Sequence, residues 1–145
     1  MDIYKLYVDN DSFDRTDPYD PIVQATKALR TVDHNASEST AIHLSERGDL
    51  YVAENHGIIT AAAHFEPVPI DGDPEAWIHV LGVRPEFQRG GIGSAMIDYF
   101  AVRCLDQNIR QILLHPTPTS LGFYQKLGFT QDDDLRPGKP LKKIL

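Results

Sequence analysis

Gln88-Arg89-Gly90-Gly91-Ile92-Gly93 gathers three glycines between an apolar extended run and a long amphipathic stretch. Glycine costs about 1 kcal/mol relative to alanine inside a helix, so glycines clustered where a helix begins call for a reason beyond helix propensity. Freed of side chains, the backbone N–H groups of residues 88–94, which include Ser94, can converge on an anion, and the helix dipole adds about half a positive charge at the same end. Such a cradle suits a diphosphate, with Arg89 and Arg84 as flanking cations. The competing reading is a glycine-rich turn that lets a helix pack closely on a sheet. A dinucleotide fingerprint is excluded because Met96 stands where the third glycine of G-x-G-x-x-G belongs, and no G-x-x-x-x-G-K-S/T stretch occurs.

Other reactive residues are sparse. Cys104 lies within a helical stretch with no histidine placed to activate it, which reads as a buried structural thiol. The histidines form no H-E-x-x-H pattern and a single cysteine rules out a thiolate cluster, so no metal is expected. With 145 residues, 14 Lys+Arg and 21 Asp+Glu, the formal charge is −7. That balance disfavours broad binding to a nucleic-acid backbone and suits small cationic substrates. One cysteine cannot close an intramolecular disulfide, and the first residues lack a basic region followed by an apolar run, so a cytoplasmic location is expected. The longest apolar candidate, residues 58–65, is interrupted by Thr60 and His64 and falls well short of the roughly 18 residues of a membrane span. The length fits one domain over residues 1–145.

The elements that must position the glycine cluster follow from periodicity. Ile3 to Val8 alternates like a half-buried strand, and an Asp-rich loop follows, with Asp9, Asp11, Asp14, Asp17 and Asp20. That run is either a solvated loop or an attractor for a cation. Asp20-Pro21 marks a helix start, with Ile22, Ala25 and Leu29 on one face to about Thr31. Residues 35–47 suit either a strand, through Ile42 and Leu44, or a short helix. Leu50–Glu54 and Ile58–Phe65 form a hairpin across Asn55-His56-Gly57, and Ala76–Val83 is a further strand. The helix after the glycines runs to about Asn108, with Ile92, Ala95, Met96, Tyr99 and Val102 as its apolar stripe and Ile97, Phe100 and Cys104 beside it. Ile109–His115 reads as a strand buried on both faces, Ser120–Leu127 as a helix ended by Gly128, and Phe129–Asp133 with Pro140–Leu145 as a closing hairpin turning at Arg136-Pro137-Gly138. This order predicts an α/β fold: a mixed sheet with helices on both faces.

Gln88, Gly91 and Gly93 match the Q/R-x-x-G-x-G/A acetyl-CoA motif of the GCN5-related N-acetyltransferase (GNAT) family, which the chain resembles. Leu121-Gly122-Phe123-Tyr124-Gln125-Lys126-Leu127-Gly128-Phe129 resembles the family's F/L-Y-x-x-x-G-F helix, and together the motifs span residues 76–129. The resemblance implies a mostly antiparallel sheet of six to seven strands with a V-shaped splay between Ala76–Val83 and Ile109–His115. Pantetheine would enter that splay like an added strand along Leu81, Gly82 and Val83. Gln88, Arg89, Gly90, Gly91, Ile92, Gly93 and Ser94 would hold the diphosphate, and Thr117 stands where many relatives carry a pantetheine-binding Asn. The N–H of Leu81 would stabilise the oxyanion, and Tyr124, a phenol of ordinary pKa about 10, would be the acid beside the sulfur.

His79-Val80-Leu81-Gly82-Val83 followed by Phe87 is locally similar to the arylalkylamine N-acetyltransferase branch, with Trp77 in place of that branch's other histidine. The similarity implies His79 as the base, with Glu54, His64 and Glu75 in reserve. The implied activity is direct acetyl transfer from acetyl-CoA to a primary amine of a small molecule or peptide, without a metal. A non-catalytic acyl-CoA-binding module is the alternative, and so is a partner subunit pairing through its final hairpin. A homodimer is compatible with each reading.

Overall fold

The computed structural model describes residues 1–8, 11–68, 74–131 and 140–145. Its strands are β1 (Asp2–Lys5), β2 (Leu50–Asn55), β3 (Ile58–Val68), β4 (Glu75–Val83), β5 (Gln111–Leu114), β6 (Thr130–Gln131) and β7 (Leu141–Ile144). Its helices are α1 (Pro21–Leu29), α2 (Glu38–Arg47), α3 (Ile92–Asp106) and α4 (Leu121–Lys126). The sheet runs in the order β1-β2-β3-β4-β5-β7-β6. Only β4 and β5 pair in parallel among the described registers; β1–β2, β2–β3, β5–β7 and β6–β7 are antiparallel. The expected mixed, mostly antiparallel sheet is therefore present. By contacts the chain resolves into two compact units, Met1–Phe65 with Val80–Met96, and Glu66–His79 with Ile97–Leu145.

In the first unit, the Asp20-Pro21 start predicted for α1 is realised. The Asp20 carboxylate accepts the N–H of Ile22 at 2.8 Å and that of Asp14 at 3.0 Å, so it caps the helix and folds the preceding loop onto it. Residues 35–47 resolve as helix. Ser37 and Thr40 cap one another's backbone N–H groups, and Ala41, Ile42, Leu44 and Ser45 are buried at helical spacing rather than alternating. The core of this unit joins Ile22, Ala25 and Leu29 of α1, Ala41 and Leu44 of α2, and Leu50, Val52 and Ile59 of the hairpin. Positive φ falls on His56 and Gly57, leaving Asn55 in β2.

In the second unit, β4 meets β5 over Ala76–Ile78 and Ile112–Leu114, and the paired length stops there. β5 shows alternate burial, with Ile112 and Leu114 inside and Gln111 and Leu113 half-buried, so the expectation of a strand buried on both faces is corrected. Along α3 the buried face is Met96, Ile97, Phe100 and Cys104, while Val102 is 59% exposed. The predicted stripe was thus displaced by part of a turn, because aliphatic residues on both sides of the helix masked which side faces inward. The turn at Arg136-Pro137-Gly138 lies outside the described residues.

Candidate active site

The glycine segment lies wholly in the first unit. β4 ends at Val83, a single 3-10 turn occupies Pro85–Phe87, and α3 starts at Ile92. The first rung of α3 is the Ala95 N–H donating to the Gly91 carbonyl at 3.0 Å. The N–H groups of Ile92, Gly93 and Ser94 therefore precede any intrahelical partner, and no side chain among the described residues caps them. Residues 88–91 are exposed, and Gly91 has φ +79° with no atom within 4 Å of where a Cβ would stand. Arg89, at φ +69°, also holds left-handed backbone. Open space and uncapped donors are what a diphosphate cradle requires.

Two residues expected at the cradle, Gln88 and Arg84, have partners within the fold. The Gln88 N–H turns back to the Pro85 carbonyl at 3.4 Å, closing the 3-10 turn, and its side-chain amide donates to the Val83 carbonyl at 2.9 Å. Arg84 directs its guanidinium inward, with Nη1 donating to Gln24 Oε1 at 3.2 Å and to the Ile59 carbonyl at 3.0 Å, and with its carbon centre 5.5 Å from the Phe87 ring centroid. Arg89 alone of the two flanking arginines is exposed at the segment.

Leu81 and Gly82 are buried, and Val83 half-buried. A Cβ at Gly82 would collide with the Ala28 carbonyl oxygen and stand 2.6 Å from Thr31 Oγ1. This glycine therefore permits a close approach of the C-terminal end of α1 to the β4 backbone.

His79, Tyr124 and Thr117 belong to the second unit. His79 is exposed, its Nε2 is 3.1 Å from Glu66 Oε2, and its ring stacks with Trp77 at a centroid separation of 6.1 Å and an interplanar angle of 14°. Trp77 in turn lies 5.5 Å from the His115 ring. Tyr124 is 7% exposed, flanked edge-on by Phe123 and Phe129, and burial pushes its phenol up to about 12. The Thr117 hydroxyl is engaged at the start of α4, bonding Ser120 Oγ at 2.9 Å and accepting the Ser120 N–H at 3.2 Å. Burial likewise raises the Cys104 thiol, to about 11, which keeps it protonated and unreactive at neutral pH.

The reserve bases have other partners. Glu75 accepts the Gln111 side-chain amide at 3.1 Å. Glu54 helps burial to raise the Tyr4 phenol. His64 stands 4.0 Å from Asp49, whose carboxylate also meets Arg47 at 3.1 Å. Glu66 and Gln24 are the residues the sequence reading overlooked. The signals were a carboxylate directly after the apolar run ending at Phe65 and an amide beside Ala25 on the inward face of α1.

Residues 46–131 match the acetyltransferase (GNAT) domain family, more than half of the chain. No curated protein matches the chain by sequence. Among solved structures it is similar to the PaiA N-acetyltransferase of Thermoplasma acidophilum in complex with coenzyme A, at 15% identity and a TM-score of 0.71 over 99% of this chain and 98% of that one. It is similar too to the ribosomal-protein-alanine N-acetyltransferase of Brucella melitensis biovar Abortus 2308, at 16% identity and a TM-score of 0.71 over 91% and 94%. Arabidopsis thaliana Naa50, in complex with the bisubstrate analogue CoA-Ac-MVNAL, aligns at 23% identity with a TM-score of 0.63 over 82% and 89%. Likeness at such identities speaks for the fold, and the family match carries the assignment: the chain belongs to the GNAT acetyltransferases and is an acetyl-CoA-dependent acyltransferase.

Proposed function

We propose that the chain acts as one acetyltransferase domain, passing acetyl from acetyl-CoA directly to a primary amine of a small molecule or peptide within a ternary complex. The observation that carries this reading is the mouth of α3, where the N–H groups of Ile92, Gly93 and Ser94 precede the first helical rung and the adjoining residues 89–91 are exposed. The diphosphate of the substrate is bound there, with Arg89 adding charge, and pantetheine runs along Leu81–Val83. Attack of the amine on the thioester carbonyl forms a tetrahedral oxyanion, and the Leu81 N–H donates to it. A donor of this kind is typically worth about 3 to 4 kcal/mol. A buried thiol raised to about 11 supports direct transfer, since Cys104 does not supply a thiolate for an acyl-enzyme.

The amine proton leaves through His79, whose ring Glu66 orients through its contact with Nε2. On collapse of the intermediate the carbon–sulfur bond breaks, and Tyr124 donates a hydrogen bond to the departing thiolate. Full transfer from a phenol near 12 to a thiolate with a pKa of about 8.5 runs uphill by roughly 3 to 4 pKa units, about 5 kcal/mol. Tyr124 therefore stabilises sulfur by donation, and solvent completes its protonation. The net charge of −7 favours a cationic acceptor, and the relatives named for protein and peptide amines favour a peptide N-terminus among the candidates.

Acetyl-CoA at a hundredfold excess over its dissociation constant adds about 2.7 kcal/mol of stability, which is read as a higher melting temperature. No such rise would sink the reading. Release of free thiol across a panel of peptides, small amines and aminoglycosides then identifies the acceptor; binding without release from any amine would favour the acyl-CoA-binding module.

A further inference from the structure

Gln24 is 2% exposed, an amide within the apolar face of α1 whose oxygen and nitrogen are both engaged. Its Oε1 accepts the Ile59 N–H at 2.9 Å and Arg84 Nη1 at 3.2 Å, and its Nε2 donates to the Tyr19 carbonyl at 2.9 Å. Arg84 Nη1 also donates to the Ile59 carbonyl at 3.0 Å. Both backbone groups of Ile59 are thus met by side chains, immediately beyond the point where the Arg84 N–H makes its backbone bond to the Thr60 carbonyl at 2.9 Å. Ile59 also adjoins the register shift in the β2–β3 pairing. The two side chains take the place of the next rung of the ladder, where β4 gives way to the turn leading into the glycine segment.

Resting on the acetyl-CoA reading above, we propose that Gln24 and Arg84 are positioning residues that set coenzyme A affinity without touching it. They fix the exit of β4, and with it the place and direction of the Arg89–Ser94 donors. Buried amide–guanidinium bonds suit this task, because losing one partner leaves the others unsatisfied and lets the backbone shift. A displacement of the donors by a fraction of an ångström lengthens several charge-assisted bonds to the diphosphate at once.

The test is calorimetric titration with coenzyme A, well below the melting temperature, on variants whose folding is checked by circular dichroism. Gln24→Met keeps size and net charge and is expected to bind about tenfold more weakly; Arg84→Met is expected to bind at least as weakly. Gln24→Glu preserves the acceptor for both Ile59 and Arg84 and gives up only the donor to the Tyr19 carbonyl, which belongs neither to β3 nor to β4, so it is expected to stay within about threefold of wild type. A purely electrostatic role for Arg84 predicts the reverse, with Gln24→Met unaffected and Gln24→Glu weakened by its added negative charge. Folded Gln24→Met with wild-type affinity overturns this inference alone. Should Gln24→Met fail to fold, a tenfold loss in Gln24→Glu overturns it. No binding by the wild type overturns the acetyl-CoA reading and this inference with it.

Discussion

The imidazole Nε2 of His79 lies 3.1 Å from Glu66 Oε2, with both side chains partly open to solvent. An exposed pair of this kind contributes little to stability, about 0 to 1 kcal/mol, so its weight falls on the orientation of the ring. Stacking on Trp77 restrains the same ring from its face.

His79→Gln should lower kcat by about a hundredfold, the lower end for loss of a general base, while leaving coenzyme A affinity unchanged. Glu66→Gln should lower kcat less, with melting temperature and affinity held. Steady-state kinetics beside calorimetry separates the two quantities, and undiminished turnover in His79→Gln would remove it as the base.

Tyr124→Phe should reduce kcat, again by about a hundredfold, with little loss of acetyl-CoA binding. The phenol is buried among aromatic rings, so the phenylalanine is accommodated and the variant should melt near the wild-type temperature. Equal turnover in the two proteins would end the proposed donation to sulfur.

Alkaline pH should destabilise the fold. Burial lifts Cys104 from 9.0 to about 11 and Tyr124 from 10.0 to about 12, so the native chain keeps protons that the unfolded chain releases. Stability from these groups is complete below about pH 9 and declines through pH 12, since the unfolded state then binds fewer protons. Denaturant titrations at stepped pH should show Cys104→Ala flattening the decline between pH 9 and 11. A decline identical to wild type would argue against the buried thiol as a contributor.

Gly82→Ala should cost about 1 to 3 kcal/mol or prevent folding, because the methyl meets a helix carbonyl that has nowhere to go. Gly91→Ala has open space and a strained backbone instead, and should cost about 1 to 2 kcal/mol while weakening coenzyme A. Thermal melts and titrations of the pair should separate a packing glycine from a binding one.

The glycine segment and the strand–helix order around it were legible because both are local: turn chemistry, caps and periodicity act over a few residues. Asp20-Pro21 shows this, its cap closing within two residues. The face of α3 was not legible, because Val102 and Phe100 are both strongly apolar and only tertiary packing decides which is covered. Arg84 misled for a similar reason. A cation near glycines invites a phosphate, but its partners Gln24 and Ile59 lie 60 and 25 residues away. Glu66 was missed likewise, since its partner His79 is 13 positions further on.

Arg89 holds a left-handed backbone that an L-residue adopts at a cost of about 1 to 2 kcal/mol. Exchange for glycine would relax that conformation and yield a hardier protein with a poorer grip on polyphosphate. On the proposed reading, heat tolerance and substrate capture oppose each other at this one position, and a laboratory selection for thermostability alone would favour glycine there.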